Sequence, residues 1–243
     1  MRLDKFLCDA LGITRKEATK VIKQGEVCVN EQIQKSGALK LTANDEVTWQ
    51  DQPIRLHGPK YIMLYKPEGY VCSHEDGFNE TAFMLLDEPH LKHLHFAGRL
   101  DVDTTGLVLI TDDGQWSHRV TSPKHQCAKV YRVWLADPIA ADAVAQFAQG
   151  IQLRQERDLT LPAQLEILGE KEARLKIYEG KYHQVKRMFA ALGNKVIGLH
   201  REQVGQIRLD DTLAPGESRY LTEAEVQSVW ENPSADDSVS QSM

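Results

Sequence analysis

The sequence predicts an α+β chain: a small N-terminal α/β module, then a larger domain with a mixed, largely antiparallel sheet flanked by helices. Three observations predict it. Two short amphipathic helix patterns open the chain and give way to short strand patterns. Beyond residue 59, strand and helix patterns mix without the regular βαβ rhythm of a parallel sheet. A chain of 243 residues is long enough for one large core and one small one.

Leu3, Phe6, Leu7, Ala10 and Leu11 recur on one helical face, so residues 2–11 read as a helix stopped by Gly12. Thr14 followed by Glu17 is a capping-box signature for a second helix, with Ala18, Val21 and Ile22 inward and Gly25 at its end. Val27 to Val29 begins a strand, Asn30-Glu31 turns the chain, and short strands continue to Trp49. Residues 50–59 hold Pro53 and a Gly58-Pro59 pair and read as a linker, which sets the domains at 1–58 and 59–232.

Tyr61 to Tyr65 reads as a buried strand that runs into a turn, Lys66-Pro67-Glu68-Gly69-Tyr70. Leu107 to Ile110 is another apolar strand, closed by a turn at Asp112-Asp113-Gly114. Val130 to Leu135 and Ala173 to Tyr178 read as strands, and residues 139–149 as a helix stopped by Gly150. His183 to Leu192 is a helix with Val185, Met188, Phe189 and Leu192 toward the core and Gly193 at its C-terminal cap. Thr222 and Glu225 box the start of a last helix bearing Val226, Val229 and Trp230. Residues 233–243, rich in Ser and Asp, read as a disordered acidic tail.

A formal net charge of −6 looks wrong for a nucleic-acid binder until it is mapped. From Glu217 onward the acids Glu217, Glu223, Glu225, Glu231, Asp236 and Asp237 face Arg219 alone, so the rest of the chain is nearly balanced. A local basic face is compatible with that total. The outward residues of the first two helices include Arg2, Lys5, Arg15, Lys16, Lys20 and Lys23, against Asp4, Asp9 and Glu17. No apolar run approaches the ~20 residues of a membrane span. Cys8, Cys28, Cys72 and Cys127 are scattered without a Cys-x-x-Cys pair, which argues against a zinc site or disulfide framework and fits a reducing cytoplasm. There is no phosphate-binding loop, dinucleotide glycine fingerprint or His-Glu-x-x-His.

The most informative string is Gly98-Arg99-Leu100-Asp101-Val102-Asp103-Thr104-Thr105-Gly106-Leu107. It reads as a loop that pins a carboxylate at the mouth of a buried strand, with a long cation two residues away. By itself, an Asp in such a loop more often caps or turns the backbone. The string resembles the catalytic motif of the pseudouridine synthases, the enzymes that isomerise uridine in RNA. Lys66-Pro67-Glu68-Gly69-Tyr70 resembles the family's first motif, and the ten residues from Glu179 to Met188 its third. Near the N-terminus, Arg2-Leu3-Asp4-Lys5-Phe6-Leu7, Thr14-Arg15-Lys16-Glu17-Ala18 and Gly25-Glu26-Val27-Cys28-Val29-Asn30 together resemble the S4 domain, which docks basic helices on RNA.

Converting uridine to pseudouridine breaks a C–N glycosidic bond, rotates the freed uracil and rejoins it through carbon. That chemistry requires no cofactor and no metal. The resemblance implies Asp101 as the catalytic carboxylate, either attacking the sugar carbon or removing a ribose proton to give a glycal. It implies Lys186 as the cation paired with Asp101, where many relatives carry Arg. Tyr131, within Lys129-Val130-Tyr131, is implied as the ring that stacks on the extruded uracil. Arg99 is implied as the guanidinium that fills the gap left by the flipped base, an ion pair with Asp103 being the competing reading. Lys181, Arg187, Arg201 and Arg208 suit phosphate contacts. The small-subunit branch of the family is the most similar. It implies 16S rRNA or an assembling small-subunit ribonucleoprotein as partner, uridine 516 as target, and a cytoplasmic monomer. A 23S rRNA synthase and a non-catalytic rRNA-binding assembly factor are the alternatives.

Overall fold

The computed structural model describes residues 1–56, 58–88 and 91–231. Helix α1 (Leu3–Leu11) starts at Arg2 and ends at Gly12, whose φ of 67° is the left-handed stop a glycine accepts readily. Helix α2 (Arg15–Gln24) carries both bonds of the Thr14–Glu17 capping box and ends at Gly25. Leu3, Leu7, Ala18 and Ile22 pack into one small core with Val27, Val29 and Val47. The last three come from a four-stranded antiparallel sheet made of β1 (Val27–Val29), β2 (Gln32–Ile33), β3 (Val47–Trp49) and β4 (Gln52–Ile54), in the order β2-β1-β3-β4.

β4 corrects the expectation of a linker over residues 50–59. Gln50 and Asp51 both hold positive φ, 50° and 61°, the backbone a two-residue hairpin needs, and they return the chain beside β3. Pro53 is tolerated because it pairs with Thr48 on the outermost strand. The same geometry recurs at Asn30 and Glu31 between β1 and β2. Met1–Pro59 and Glu88–His93 form one compact unit, and Lys60–Asp87 with Leu94–Met243 the other.

The second unit is built on a sheet of nine strands among the described residues. Its main path uses β5 (Tyr61–Lys66), β9 (Thr105–Thr111), β10 (Lys129–Leu135), β11 (Gln164–Gly169), β12 (Glu172–Ile177), β13 (Val196–Val204) and β15 (Ser218–Tyr220). Before β9 lie β6 (Tyr70–Val71), β7 (Glu80–Thr81) and β8 (His95–Phe96), and β14 (Ile207–Arg208) follows β13. The order is β11-β12-β10-β13-β9-β5-β15, with β8 added on β9 and β14 on β13. Every pairing in this sheet is antiparallel except β9 with β13, where Thr105 meets His200 and Gly106 meets Arg201. The expected mixed, largely antiparallel sheet is therefore what forms.

Gly106 is required at that parallel seam. Its φ is +106°, and a Cβ there would lie 2.4 Å from the Arg201 carbonyl oxygen. The helices α3 (Gly114–Thr121), α4 (Ala143–Gln149), α5 (Gln184–Ala191) and α6 (Glu223–Ser228) complete the unit. Asp113, expected only as part of a turn, caps α3 by accepting from the amides of Gln115 and Trp116. α4 begins at Ala143 rather than at residue 139, because the Ile139 amide is committed to the Glu170 carbonyl. The expected tail at residues 233–243 lies outside the described residues.

Candidate active site

The loop ahead of β9 is held from two sides by buried cations. Lys66 ends β5, is fully buried, and donates through Nζ to the carbonyls of Pro67 and Thr104 at 2.8 Å and of Val102 at 3.4 Å. From β13, Arg201, only 2 % exposed, donates Nε to the Leu107 carbonyl at 2.8 Å. Its Nη2 reaches the carbonyl of Gly98 at 3.2 Å, and Nη1 that of Arg99 at 3.4 Å. Among the described residues, neither cation has a carboxylate as its hydrogen-bond partner. Their charge is solvated by the backbone of the loop that carries Asp101, so the loop and the cations fix each other. Burial pushes the Lys66 ammonium below its ordinary range, opposed by Cys72 and by the carboxylates of Asp103 and Asp101. Of the described buried side-chain polar atoms, Thr104 Oγ1 in this loop lacks a partner.

Helix α5 supplies the opposing cation. Lys186 Nζ donates to Asp101 Oδ2 at 2.9 Å and to Asp103 Oδ1 at 2.6 Å. Burial opposes charge on Lys186 and Asp103, but the hydrogen bonds win. Lys186 is held above its ordinary value and Asp103 below its own. His183, the residue that starts α5, adopts the left-handed φ of 48° and brings Nε2 to 3.4 Å from Asp101 Oδ1. Val185, Met188 and Phe189 bury the inner face of α5, and Phe189 meets Phe147 of α4 at 4.9 Å. The buried Gln184 donates to Glu179 at 2.9 Å and accepts from the Lys181 amide at 2.8 Å. Those contacts set the rotation of α5, and the rotation aims Lys186.

Asp101, Lys186 and Tyr131 share the wall of one cavity of about 170 Å3, together with Arg99, His183 and Arg201. Tyr131 lies on β10 and is 9 % exposed, with its hydroxyl 3.5 Å from Arg201 Nη1 and its ring 6.0 Å from that guanidinium. Lys129, also on this wall, is buried and held by the carbonyls of Val120 and Cys127. The described residues contain no cluster of His, Cys, Asp and Glu able to hold a metal.

Residues 60–191 of the chain match the RNA pseudouridylate synthase family, and residues 1–47 match the S4 domain. The chain belongs to the RNA pseudouridylate synthases. It is similar to ribosomal small subunit pseudouridine synthase A of Vibrio cholerae, 72% identical over 230 residues that cover 95% of this chain and all of the relative. The protein of that name in Escherichia coli K12 is 54% identical over 230 residues, 94% of this chain and all of the relative. A solved structure described as a pseudouridylate synthase superposes with a TM-score of 0.69 at 52% identity, covering 94% of this chain and 99% of the other. The family expected from the motifs, and an RNA-isomerising enzyme with it, is thereby shown.

Other synthase residues stand in less simple surroundings than the sequence implied. Arg99 is exposed on the cavity rim, and the competing ion pair with Asp103 is absent because Lys186 takes that carboxylate. Arg201, expected among phosphate ligands, is instead buried as a clamp on the loop. Lys181 and Arg187 both sit 3.2 Å from Glu156, and Arg187 also donates to the carbonyls of Arg154 and Tyr182. In the N-terminal unit Arg2 is paired with Asp4 and Lys5 with Asp9, whereas Arg15, Lys16 and Lys20 line one groove on α2 with Lys23. Sequence reasoning missed Lys66, Glu156 and the bridging role of Asp103. For Lys66 a signal existed: a lysine directly following an apolar strand, where burial continues one residue further than the hydrophobic pattern.

Proposed function

We propose that this synthase converts uridine 516 of 16S rRNA to pseudouridine, with Asp101 acting at the ribose. The substrate class is taken from the small-subunit relatives, whose identity to this chain extends over nearly its whole length. The assignment of chemistry rests on one observation: Asp101 held 2.9 Å from Lys186 in the wall of a cavity on the scale of a single base. A pocket of that size suits an extruded uracil and excludes a base still in its stack.

In this reading the uridine swings into the cavity while Arg99, exposed at the rim, occupies the vacated gap. Asp101 either attacks the sugar carbon or removes a ribose proton. The bond from C1′ to N1 breaks, and uracil leaves with the bonding electrons. The cavity retains the base while it rotates to present C5, which bonds to C1′ as the bond from Asp101 to that carbon breaks or, on the glycal route, as Asp101 returns the ribose proton. The C5 proton is then lost and N1 gains one, so the product is an isomer. Tyr131 is suited to stack on the base and to assist proton movement there, its hydroxyl lying 3.5 Å from Arg201 Nη1 in the same cavity wall. Lys186 holds the Asp101 carboxylate in place through the 2.9 Å hydrogen bond to Oδ2. Arg2, Lys5, Arg15, Lys16, Lys20, Lys181 and Arg187 supply contacts to the RNA backbone, those already paired with acids exchanging partners.

The test is carbodiimide–reverse-transcription mapping of 16S and 23S rRNA from cells lacking the protein, rescued with wild type or Asp101→Asn. One 16S stop that returns only with wild type supports both substrate and carboxylate. A stop that returns in 23S moves the substrate to the large subunit. Restoration by Asp101→Asn removes Asp101 from the chemistry.

A further inference from the structure

We infer that Tyr182 is a stacking platform for the nucleobase next to the extruded uridine, an inference that rests on the cavity at Asp101 being the catalytic one. Tyr182 stands between two residues that line the cavity, Lys181 and His183. It is 77% exposed, an unusual position for a large aromatic ring beside a site. Its hydroxyl forms no hydrogen bond to the described residues, so nothing polar ties the ring to the protein. What holds it is a near-parallel stack on His183, with centroids 3.8 Å apart and planes 20° apart. His183 in turn reaches Asp101 at 3.4 Å.

The arrangement is maintained against a local cost. His183 sits at a left-handed φ of 48°, a conformation that non-glycine residues rarely take and that clusters where function requires it. The stack therefore runs outward from the catalytic carboxylate: Asp101, the His183 ring, the Tyr182 ring, then solvent. Cations flank it. Lys186 shares the Asp101 carboxylate with His183, and the Arg187 guanidinium donates to the Tyr182 carbonyl at 3.1 Å. An exposed π-face bordered by basic residues is the arrangement by which proteins hold single-stranded bases regardless of identity. When a uridine leaves its stack, each neighbour loses one stacking partner. An exposed ring stacked on His183 of the cavity wall replaces that partner for one of them.

The experiment uses the full chain and a 16S rRNA transcript, naked or assembled with small-subunit proteins. Affinity, kcat and KM are measured for wild type, Tyr182→Ala, Tyr182→Phe and Asp101→Asn. A second series of transcripts carries an abasic site on either side of the modified uridine. Tyr182→Ala is expected to weaken binding and raise KM by roughly 5- to 150-fold. Tyr182→Phe, which keeps the ring, restores most of the loss. One of the two abasic transcripts should reproduce the loss with wild-type protein, and on that transcript Tyr182→Ala should add nothing. A fall in kcat at unchanged KM and affinity overturns the proposal, since the ring then only positions His183. Fully additive losses on both abasic transcripts overturn it as well. Turnover that survives in Asp101→Asn instead overturns the catalytic reading of the cavity, and the affinity series still reports on Tyr182 by itself.

Discussion

Lys186 is shared by two acids, and the sharing predicts its pH behaviour. Asp103 sits below its usual range, so the pairing is intact above the ordinary carboxylate pKa of about 4 and is lost as acid protonates it in the fold. Lys186 sits above its usual range, so the pairing persists through neutral pH and is lost only as strongly alkaline solution deprotonates it. Asp103→Asn removes the 2.6 Å partner and lowers the Lys186 pKa. In a pH–rate profile the alkaline limb should move to lower pH while neutral-pH turnover largely survives. An unmoved limb would mean that Asp103 is a bystander. Asp101→Asn, by contrast, should lower single-turnover rates by about a hundredfold or more at every pH. A third residue carries a structural prediction. Lys66→Met leaves two short-range carbonyl acceptors unmet and should cost about 1–3 kcal/mol for each that water cannot reach. Calorimetry reads that as a lowered Tm, with activity falling alongside because the Thr104 carbonyl belongs to the loop around Asp101. The motif strings singled out Asp101, Tyr131 and Lys186 separately, and the fold brings the three to one cavity wall. Glu156 was not legible: its partners lie at Lys181 and Arg187, and no pattern around Glu156 announces them.

At the scale of elements, the seam between β9 and β13 is a joint with no room for a side chain at Gly106. Gly106→Ala forces a Cβ to within 2.4 Å of the Arg201 carbonyl oxygen and cannot relax without parting the strands. Urea unfolding should show a loss on the order of 4 kcal/mol, at the severe end for one methyl group. Thr14→Ala removes one capping box on an exposed helix end and should cost only about 1 kcal/mol. The contrast between the two measurements tests whether stability is concentrated at the seam. Elements with clear period or cap were readable in advance: α1, α2, α5 and α6, and the apolar strands β5, β9 and β10. β13 was not, because His200, Arg201, Glu202 and Gln203 hide a strand that is buried through its arginine. β4 was hidden by Pro53, which reads as a break unless the strand is known to be an edge. α3 was hidden because Trp116 and Val120 are its buried apolar residues and the helix depends on the Asp113 cap.

At the scale of the whole molecule, charge predicts both salt and acid responses. Replacing Arg15, Lys16 and Lys20 together by Gln should raise KM for rRNA and flatten the dependence of log affinity on log salt by about 0.7–0.9 per lost phosphate contact. kcat should hold, because these residues belong to the N-terminal unit and the cavity to the other. A salt-independent affinity in wild type would remove the phosphate reading altogether. Acid stability follows from carboxylates held low in the fold, among them Asp103, Asp113 and Asp210, the last at about 2 through bonds from Thr212 and Arg219. Their contribution is present above about pH 4 and is lost as pH falls toward 2. His200 is lowered by burial, so the unfolded chain takes up a proton near pH 6.5 that the folded chain refuses. Urea midpoints should therefore begin to fall just below pH 6.5, and His200→Gln should weaken that first decline.

The seam also sets a schedule for protein synthesis. Thr105 and Gly106 leave the ribosome long before His200 and Arg201, and no earlier strand can take the place of β13 beside them. A nascent chain that has emerged only through α5 holds Asp101, Tyr131 and Lys186 but lacks the arginine that grips the loop from Gly98 to Leu107. Such long-range pairings are the slow steps of folding. The clamp on the loop therefore cannot close until Arg201, residue 201 of 243, has been made, so completion of the site belongs to the end of synthesis.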